Sequence, residues 1–500
     1  MENNIKFLSK KCKNKKVVFY CIGKLFEELW QKFDLKNNFK IEALCDMKFD
    51  KRSYKDGILC VSPQELKNLC FDYLIIVSPD FDIKEKYLKN NAFLPKNVRF
   101  LNTEMKKVKI NIEKNYKNIL KKIKTKEKIN LLFVCEQNEK WCYSELYNKL
   151  KNNNRFNILP VLLFPIISKG EIIFTQNENK NFFDKLNIES KDGWDYQNNK
   201  VIDIETFKPD IVFYQQPWYL NNTNHPKNVS KYALTIMAPY GYTTLSEKEW
   251  GSKSVKEVYQ SLWLFLAESP YHIKFYKKAA NMKNNLATFG SLKLDNYRKS
   301  VEKNLWKKPE NFKIIYAPHH SLGNDGLRMA TFEDNYEKFL NFAKNNQQYS
   351  FIFKPHPMLK TAVVEHNLMT LDEYMNYLKQ WDDLDNSLVY DKGEYFDIFK
   401  TSDILITDCS SFLAEYFPTK KPIIFINRKD RAAFDDFGNK IKKGFYEANA
   451  FDEIETLAKE ICENNNDYLL KTRQDILKKY FYFKESTCDE FIKFLNKLIC

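Results

Sequence analysis

Short, unbroken apolar runs recur along the chain and alternate with segments whose apolar residues have helical spacing. Three of these runs fall in the first hundred residues, at 17–20, 41–45 and 73–77. A continuous β-branched or aromatic run is typical of a parallel strand covered on both faces, and its alternation with helices is typical of an α/β fold. The pattern therefore predicts a small Rossmann-like α/β domain over residues 1–105.

The remainder of the chain repeats this pattern twice. The later runs lie at 129–134, 158–164, 210–214, 262–266, 313–317, 351–354, 404–407 and 423–426. Two successive doubly wound units of similar size are the outline of a GT-B architecture, in which two substrates meet in the cleft between the units. We expect a basic helical linker over 106–128, a first GT-B domain over 129–300 and a second over 301–500.

Composition and charge narrow the function classes. The 500 residues carry a formal net charge of +15, which indicates either an anionic partner or a lysine-coated surface. Nucleic acid is not an expected partner, because no nucleic-acid-binding motif accompanies the charge and the aromatic residues lie within apolar runs. The eleven cysteines include no Cys-x-x-Cys pair, which favours reduced thiols in the cytoplasm.

Export and membrane insertion are not predicted. The first residues lack the charged and then apolar layout of a signal peptide. The most continuous apolar stretch, at 158–167, is interrupted by Pro160 and Pro165 and is shorter than the roughly 20 residues that span a bilayer. We expect a cytoplasmic protein whose membrane contact, if any, is peripheral and on the inner face of the cell membrane.

The first domain contains an incomplete dinucleotide-binding pattern. Gly23 follows its first predicted strand, and Asp46 ends the second strand, where a ribose-binding acid would lie. Only one of the three glycines of the phosphate loop is present. A structural or docking role is therefore favoured over nucleotide binding.

Polar side chains follow three predicted strands of the last domain. Lys354 and His356 end one strand, and His319 and His320 follow another. A third strand ends in a polar group made of Asp408, Ser410 and Ser411. Open α/β sheets bind ligands at the carboxyl ends of their strands, where lysine, imidazole and serine hydroxyl groups suit an anionic, phosphorylated substrate.

Each of these motifs also has a purely structural interpretation. Pro355 and Pro357 would end a strand by excluding helix, and an Asp/Ser group before a helix is an ordinary N-cap. The loop that begins at Ser321 and contains Gly323 and Gly326 either closes over substrate or is a surface turn.

Taken together, the motifs resemble those of the CDP-glycerol glycerophosphotransferase family, the group of teichoic-acid and capsule polymerases. The resemblance spans roughly residues 130–495 and rests on ordered motifs at Tyr316-Ala-Pro-His-His320, Lys354-Pro-His-Pro357, Ser402-Asp-Ile-Leu-Ile-Thr-Asp-Cys-Ser-Ser411, Lys421-Pro-Ile-Ile-Phe425 and Gly290-Ser-Leu-Lys-Leu-Asp295. It implies a GT-B fold with the acceptor domain at 129–300 and the nucleotide donor domain at 301–500. It also implies that His356 is catalytic and that Asp408, Ser410 and Ser411 lie at the donor phosphates.

One family element is altered. The better-known polymerases have a Trp-His-Gly element in the acceptor domain, where this chain has Pro239-Tyr240-Gly241. Either Tyr240 orients the acceptor, or His319 or His320 acts as the base, or the transferred group differs from glycerol phosphate. A tyrosine, whose ordinary pKa is about 10, is a poor base, so a histidine is favoured.

The predicted reaction is attack by an acceptor hydroxyl on the proximal phosphorus of a CDP-linked donor, which releases CMP and transfers a polyol phosphate. The acceptor would be a cell-surface polysaccharide or its lipid-linked precursor. Lys354 would offset negative charge, while Ser410, Ser411 and Ser321 would hold the donor. Neither a prosthetic group nor a metal ion is expected, because no Asp-x-Asp motif ends a strand. The alternatives are a GT-B glycosyltransferase of capsule or lipopolysaccharide synthesis and a non-catalytic scaffold of a capsule-assembly complex.

Overall fold

The computed structural model forms two compact units, Met1–Asn115 and Tyr116–Cys500. It describes residues 2–77, 98–100, 103–168, 171–174, 177–221, 223–246, 253–282, 284–324, 326–391, 395–481 and 486–499. No helix in these residues combines the length and the apolar character that crossing a bilayer requires.

The first unit is built on a six-stranded sheet in the order β3-β4-β2-β1-β5-β6. Its pairs are parallel except for the β3–β4 hairpin. The strands are β1 (Lys16–Tyr20), β2 (Lys40–Cys45), β3 (Ser53–Lys55), β4 (Ile58–Val61), β5 (Tyr73–Ile76) and β6 (Val98–Phe100), and the helices are α1 (Glu2–Lys11), α2 (Lys24–Lys32) and α3 (Leu35–Asn38). The three strands predicted here are confirmed. Helix α4 (Thr103–Lys124) follows and covers most of the predicted linker.

The acidic residue of the incomplete dinucleotide pattern is used within the fold. One carboxylate oxygen of Asp46 accepts the Ile22 N–H at 2.6 Å, and the other accepts the Lys48 N–H at 3.1 Å. The Lys48 ammonium in turn donates to the carbonyl of Ile22. These bonds use the Asp46 carboxylate to hold the turn after β1, which favours the structural role.

The second unit begins with an eight-stranded sheet in the order β12-β9-β7-β15-β16-β17-β18, with β8 also paired to β7. All its pairs are parallel. Its strands are β7 (Ile129–Cys135), β8 (Phe156–Ile158), β9 (Val161–Leu163), β12 (Ser190–Asp192), β15 (Ile211–Tyr214), β16 (Leu234–Met237), β17 (Leu264–Ala267) and β18 (Leu286–Thr288); two hairpins, β10 (Ile166–Ser168) with β11 (Glu171–Phe174) and β13 (Trp194–Asp195) with β14 (Lys200–Val201), lie outside it. Helices α5 (Ser144–Lys151), α6 (Asn177–Lys185), α7 (Pro226–Val229), α8 (Lys253–Ser261), α9 (Pro270–Ala279) and α10 (Leu292–Lys299) belong to this half.

A six-stranded sheet of parallel pairs follows, in the order β21-β20-β19-β22-β23-β24. Its strands are β19 (Phe312–Ala317), β20 (Tyr349–Phe353), β21 (Ser387–Val389), β22 (Ile404–Thr407), β23 (Ile423–Ile426) and β24 (Tyr446–Ala448). Its helices are α11 (Phe332–Asn345), α12 (Leu359–Glu365), α13 (Leu371–Asp382), α14 (Phe396–Thr401), α15 (Ser410–Glu415), α16 (Asp436–Ile441), α17 (Phe451–Glu463), α18 (Leu470–Tyr480) and α19 (Thr487–Ile499).

In each sheet of the second unit, strands are added first on one side of the first strand and then on its other side, so the strand order reverses there. In the first sheet the reversal lies between β7 and β15, and in the second it lies between β19 and β22. Open α/β sheets bind ligands outside the carboxyl ends of the strands at such a switch point. We therefore expect ligand-binding residues among those that follow these four strands.

Two details of the first sheet differ from the prediction. The apolar run at 158–164 is two strands, because Pro160 has no N–H to donate and separates β8 from β9. Strands β12, β16 and β18 were not predicted, and the segment 238–242 that follows β16 is irregular. The four strands predicted for the second sheet are confirmed, with β22 and β23 at the predicted residues.

The two halves of this unit share backbone contacts. Leu245 of the first half forms an antiparallel bridge with Phe434 of the second, and the Thr244 carbonyl accepts the Asp435 N–H at 2.9 Å. The C-terminal helix α19 returns to the first half, where Phe491 packs edge-on against Phe213. These contacts hold the irregular segment after β16 against the second sheet.

Candidate active site

Three of the six histidines form one cluster at the carboxyl ends of β19 and β20. The ring centroids of His320 and His356 are 4.0 Å apart, those of His319 and His320 are 4.4 Å apart, and those of His319 and His356 are 5.3 Å apart. One ring nitrogen from each residue lies within 4.8 Å of the others. Neighbouring parallel strands that end at the same edge bring these rings together, as the sequence predicts.

Hydrogen bonds assign the tautomers of two of these rings. Nδ1 of His356 accepts the Met358 N–H at 3.1 Å, and Nδ1 of His319 accepts the Ser321 N–H at 3.1 Å. The Ser321 hydroxyl, which accepts the Met329 N–H, also donates to Nδ1 of His319 at 2.8 Å. With Nδ1 acting as an acceptor, a neutral imidazole carries its proton on Nε2.

Both imidazoles are held in the neutral form. Burial lowers the pKa of His319 and of His356 well below the ordinary value, and the neighbouring His320 lowers both further. For His356, Lys354 and Lys140 add to this effect. Near neutral pH these two residues are therefore Nε2–H donors and not bases.

Asp408 binds the backbone of His319 and so fixes one member of the cluster. Its carboxylate, which is completely buried, accepts the His319 N–H at 2.5 Å, the Thr331 N–H at 2.6 Å and the Thr331 hydroxyl at 2.9 Å. Burial raises the pKa of Asp408 to about 6, which leaves it ionised at neutral pH. Asp408 therefore acts as a positioning residue for the loops after β19 and before α11, and its oxygens are committed to the protein.

Lys354 lies beside the histidines at the end of β20. Its ammonium is 5.6 Å from the ring centroid of Tyr390 and 5.4 Å from that of Tyr395, and only 4% of the residue is exposed. Burial lowers the pKa of Lys354 to about 8. A largely desolvated cation of this kind interacts strongly with an incoming anion.

Ser410 and Ser411 begin α15 and line a cavity of about 300 Å³ between the two halves. Trp218, Tyr240 and Thr244 form part of its opposite wall. The complete lining is Gln215, Pro217, Trp218, Met237, Pro239, Tyr240, Gly241, Tyr242, Thr243, Thr244, Leu245, Val255, Tyr259, Leu327, Ser410 and Ser411. The predicted donor-side serines and the predicted acceptor-side residues thus share one cavity, while the histidine cluster lies outside its lining.

Tyr240 and Gly241 lie on the wall contributed by the first half. Burial, together with the negative charge of Glu415, raises the pKa of Tyr240 well above its ordinary value, so its phenol is not a base. A Cβ at Gly241 would lie 2.7 Å from Oε1 of Glu415. That carboxylate belongs to a buried network in which the Lys293 ammonium donates to it at 3.2 Å and the Tyr395 hydroxyl donates to its other oxygen.

The sequence prediction did not include the polar residues that follow β7 and β15. The Lys140 ammonium donates to Oε1 of Gln216 at 2.8 Å and to Oε1 of Gln137. It also lies 5.0 Å from the ring centroid of Trp218 and 5.5 Å from that of Tyr240. The signal for these residues was available, because Glu136–Lys140 and Gln215–Trp218 come directly after predicted strands on either side of a switch point.

Two family models match the chain. The model of CDP-glycerol:poly(glycerophosphate) glycerophosphotransferases covers residues 92–490, and one described as C2185-like, N-terminal covers residues 13–92. The minor teichoic acid biosynthesis protein GgaB of Bacillus subtilis (strain 168) is 25% identical over 327 residues, which are 58% of this chain and 34% of that relative. The chain thus spans about a third of the relative that it matches.

Solved structures support the architecture. The S. aureus MnaA–UDP structure matches with a TM-score of 0.51 and 12% identity over 74% of this chain and 97% of that chain. A candidate UDP-N-acetylglucosamine 2-epimerase from Listeria monocytogenes matches with a TM-score of 0.51 and 10% identity over 73% and 95% of the two chains. At this identity the likeness concerns the fold alone, and it confirms the predicted GT-B type pair of doubly wound domains.

Proposed function

Because the chain belongs to the CDP-glycerol:poly(glycerophosphate) glycerophosphotransferase family, we propose that it transfers a polyol phosphate from a CDP-linked donor to a hydroxyl of a cell-surface polymer and releases CMP. The observation that carries this proposal is the histidine cluster at the carboxyl ends of β19 and β20, beside the switch point of the second sheet. Two of its rings present Nε2–H donors beside the desolvated cation of Lys354. This set of groups suits the oxygens of a transferring phosphate.

The residues of the site would have separate roles in an in-line displacement at phosphorus. The Nε2–H groups of His319 and His356, with the Lys354 ammonium, would stabilise the negative charge on the transferring phosphoryl oxygens. The hydroxyls of Ser410 and Ser411 would donate to the phosphate that leaves with CMP. Asp408 would hold the backbone of His319 in place, and positioning of this kind accounts for much of the rate in phosphoryl transfer.

An anion fits the cluster better than a metal ion does. Three histidine nitrogens within 4.8 Å of one another could hold a metal ion. A metal-bound histidine, however, normally donates its other N–H to an acceptor, whereas Nδ1 of His319 and of His356 faces a backbone N–H donor. We therefore propose that the transfer needs no metal. Turnover that survives EDTA dialysis is the expected result, and turnover lost with EDTA and restored by Zn²⁺ would overturn this part of the proposal.

We also propose an acceptor and a place in the cell for this protein. The acceptor would be a polysaccharide or its lipid-linked precursor, because GgaB is described as a teichoic acid biosynthesis protein. A lipid-linked acceptor would require peripheral contact with the inner face of the cell membrane. The transferred polyol, the acceptor and this contact all belong to the proposal.

Release of CMP from CDP-glycerol in the presence of acceptor polymer tests the proposal directly. His356→Ala should lower kcat by at least about 10²-fold, because it removes a donor to the transferring phosphate. His225→Asn is the matched control, since His225 caps α7 through Nδ1 and asparagine is an equally good cap. Near-normal turnover by His356→Ala would contradict the assignment.

The nature of the donor separates the proposal from a GT-B glycosyltransferase and from a scaffold. A ligand present at about 100 times its Kd raises the free energy of unfolding by about 2.7 kcal/mol, so thermal shifts with CMP, CDP, UMP, UDP and GDP report the preferred base. A cytidine-selective shift that is lost in the variant Ser410→Ala/Ser411→Ala supports the phosphotransferase. A uridine or guanosine preference supports the glycosyltransferase, and the absence of any shift supports the scaffold.

A further inference from the structure

The acceptor hydroxyl must lose its proton, and the groups predicted for this task are poorly suited to it. His319 and His356 carry protons on Nε2, and Tyr240 has a raised pKa. His320, the remaining candidate, follows β19 and belongs to the same half as the donor-side serines. In an in-line displacement the attacking oxygen also enters opposite the leaving CMP. Since the donor-side serines belong to the second half, a base is needed on the wall contributed by the first half.

Lys140 is the basic side chain at this wall. Its ammonium lies against the rings of Trp218 and Tyr240, which line the cavity opposite Ser410 and Ser411. Its charge also reaches across the cleft, since it is one of the groups that lower the pKa of His356. Lys140 therefore lies against the cavity wall and is close enough to the histidine cluster to affect it electrostatically.

The sheet register places a carboxyl group beneath Lys140. Strands β7 and β15 are parallel with Phe133 opposite Phe213, so Glu136 and Gln216, each three residues further on, leave the same edge side by side. Gln216 accepts a hydrogen bond from Lys140. Glu136 is completely buried, and its two oxygens have no hydrogen-bond partner among the described residues. A buried carboxyl group of this kind is costly unless a nearby cation offsets it.

We propose that Lys140 is the catalytic base for the acceptor hydroxyl and that Glu136 is its electrostatic partner. This inference rests on the proposed phosphotransfer. The uncharged Lys140 amine takes the hydroxyl proton as the oxygen–phosphorus bond forms, and the phosphorus–oxygen bond to CMP breaks with the electron pair leaving on CMP. The proton on Lys140 is then lost to water. A neutral Lys140 has two N–H donors for the oxygens of Gln137 and Gln216, which leaves its lone pair for the acceptor.

The electrostatic surroundings suit this role. Burial lowers the pKa of Lys140 to about 8, although the charges of Glu136 and Glu139 oppose this effect. About a tenth of the side chain is then uncharged at pH 7 and about half at pH 8. Burial also raises the pKa of Glu136, the nearby Lys140 counteracts this shift, and the two groups therefore titrate as one interacting pair. A base with a pKa close to the working pH is the most effective kind.

Two substitutions of Lys140 separate a base from a simple anchor for an anion. Lys140→Met removes both the charge and the base, whereas Lys140→Arg keeps the charge but has no accessible neutral form. If Lys140 is the base, both variants lose at least about 10²-fold in kcat and no longer show the rise of kcat with pH up to about 8. Lys151→Met, on the exposed face of α5, is the matched control and should leave kcat unchanged.

Retention of kcat by Lys140→Arg, with only a change in KM, would overturn the proposal and indicate an anion anchor. Glu136→Gln provides a second test that does not depend on how Lys140→Met folds. Because the Glu136 carboxylate raises the pKa of Lys140, its removal should move the rise of kcat to lower pH, and an unmoved rise would contradict the partnership.

Failure of this inference and failure of the proposed phosphotransfer give different results. If the wild-type protein releases no CMP from CDP-linked polyols, the proposed function itself fails. If the wild type is active and the cytidine-nucleotide thermal shift persists in the Lys140 variants, donor binding is intact, and the loss of kcat with its pH dependence then isolates the base.

Discussion

Removing the Asp408 carboxylate should loosen the loop that carries His319. The three protein groups that it accepts, two backbone N–H groups and the Thr331 hydroxyl, are buried together with it. In Asp408→Ala both backbone N–H groups lose their acceptor. A buried polar group without a partner costs about 1–3 kcal/mol, so the free energy of unfolding should fall by about 2–6 kcal/mol.

Asp408→Asn should cost less. The amide oxygen can still accept both groups of Thr331 if it takes the position of Oδ2, but the amide NH₂ then faces the His319 N–H, which is also a donor. One lost bond predicts a decrease of about 1–3 kcal/mol. Displacement of His319 should lower kcat in both variants, by up to about 10²-fold for a shift of about 1 Å.

Urea denaturation and hydrogen exchange together test this reasoning. Denaturation gives the change in unfolding free energy, and exchange of peptides that contain the amides of His319 and Thr331 reports the local effect. Asp475→Ala is the control, because its exposed i,i+4 ion pair with Lys471 is worth less than about 1 kcal/mol. If Asp408→Ala unfolds within about 0.5 kcal/mol of the wild type and both amides stay protected, Asp408 does not position this loop.

Three further substitutions test the packing and the charge of the site. Gly241→Ala should lower the unfolding free energy by about 1–3 kcal/mol, because the new Cβ would clash with the Glu415 carboxylate, which is held by Lys293 and Tyr395. An unfolding free energy equal to that of the wild type in urea denaturation would show that the Glu415 side chain moves aside without cost. Lys293→Met should lower the unfolding free energy by about 3–5 kcal/mol, because it leaves the buried Glu415 carboxylate without its cation. The double variant Lys293→Met/Glu415→Gln should recover most of this decrease. A double variant no more stable than Lys293→Met would refute the pairing. The lowered pKa of His356 means that this imidazole binds a proton more readily in the unfolded state than in the folded state. The contribution of His356 to the unfolding free energy should therefore fall by up to about 1.4 kcal/mol per pH unit as pH falls below about 6.5. His356→Gln should reduce the pH dependence of the unfolding free energy between pH 7.5 and pH 5.5.

The sequence alone determined where four strands of the second sheet lie and which residues end them. Strands β22 and β23 match their apolar runs residue for residue, because a parallel strand covered on both faces needs an unbroken run of apolar side chains. The prediction that His356 and Ser410 follow strands of one sheet rests on the same local signal. A parallel sheet then brings such residues to one edge whatever the details of the loops.

The tertiary structure decided what those residues can do. Asp408 lies 77 positions from Thr331, and only the pairing of β19 with β22 turns its carboxylate into an acceptor for that loop. The tautomer of His356 follows from a backbone N–H two residues away whose direction depends on the turn before α12. Lys140 lies against two residues of the cavity wall, Trp218 and Tyr240, which follow other strands than its own.

Strand positions could be predicted from the sequence and the chemistry of the site could not, for a physical reason. Burial of a strand depends on its own side chains, so apolar periodicity records it along the chain. Hydrogen-bond partners, desolvation and pKa depend on groups that are distant in sequence, and these meet only in the folded structure. The chemistry of this site therefore becomes specific where the two halves meet.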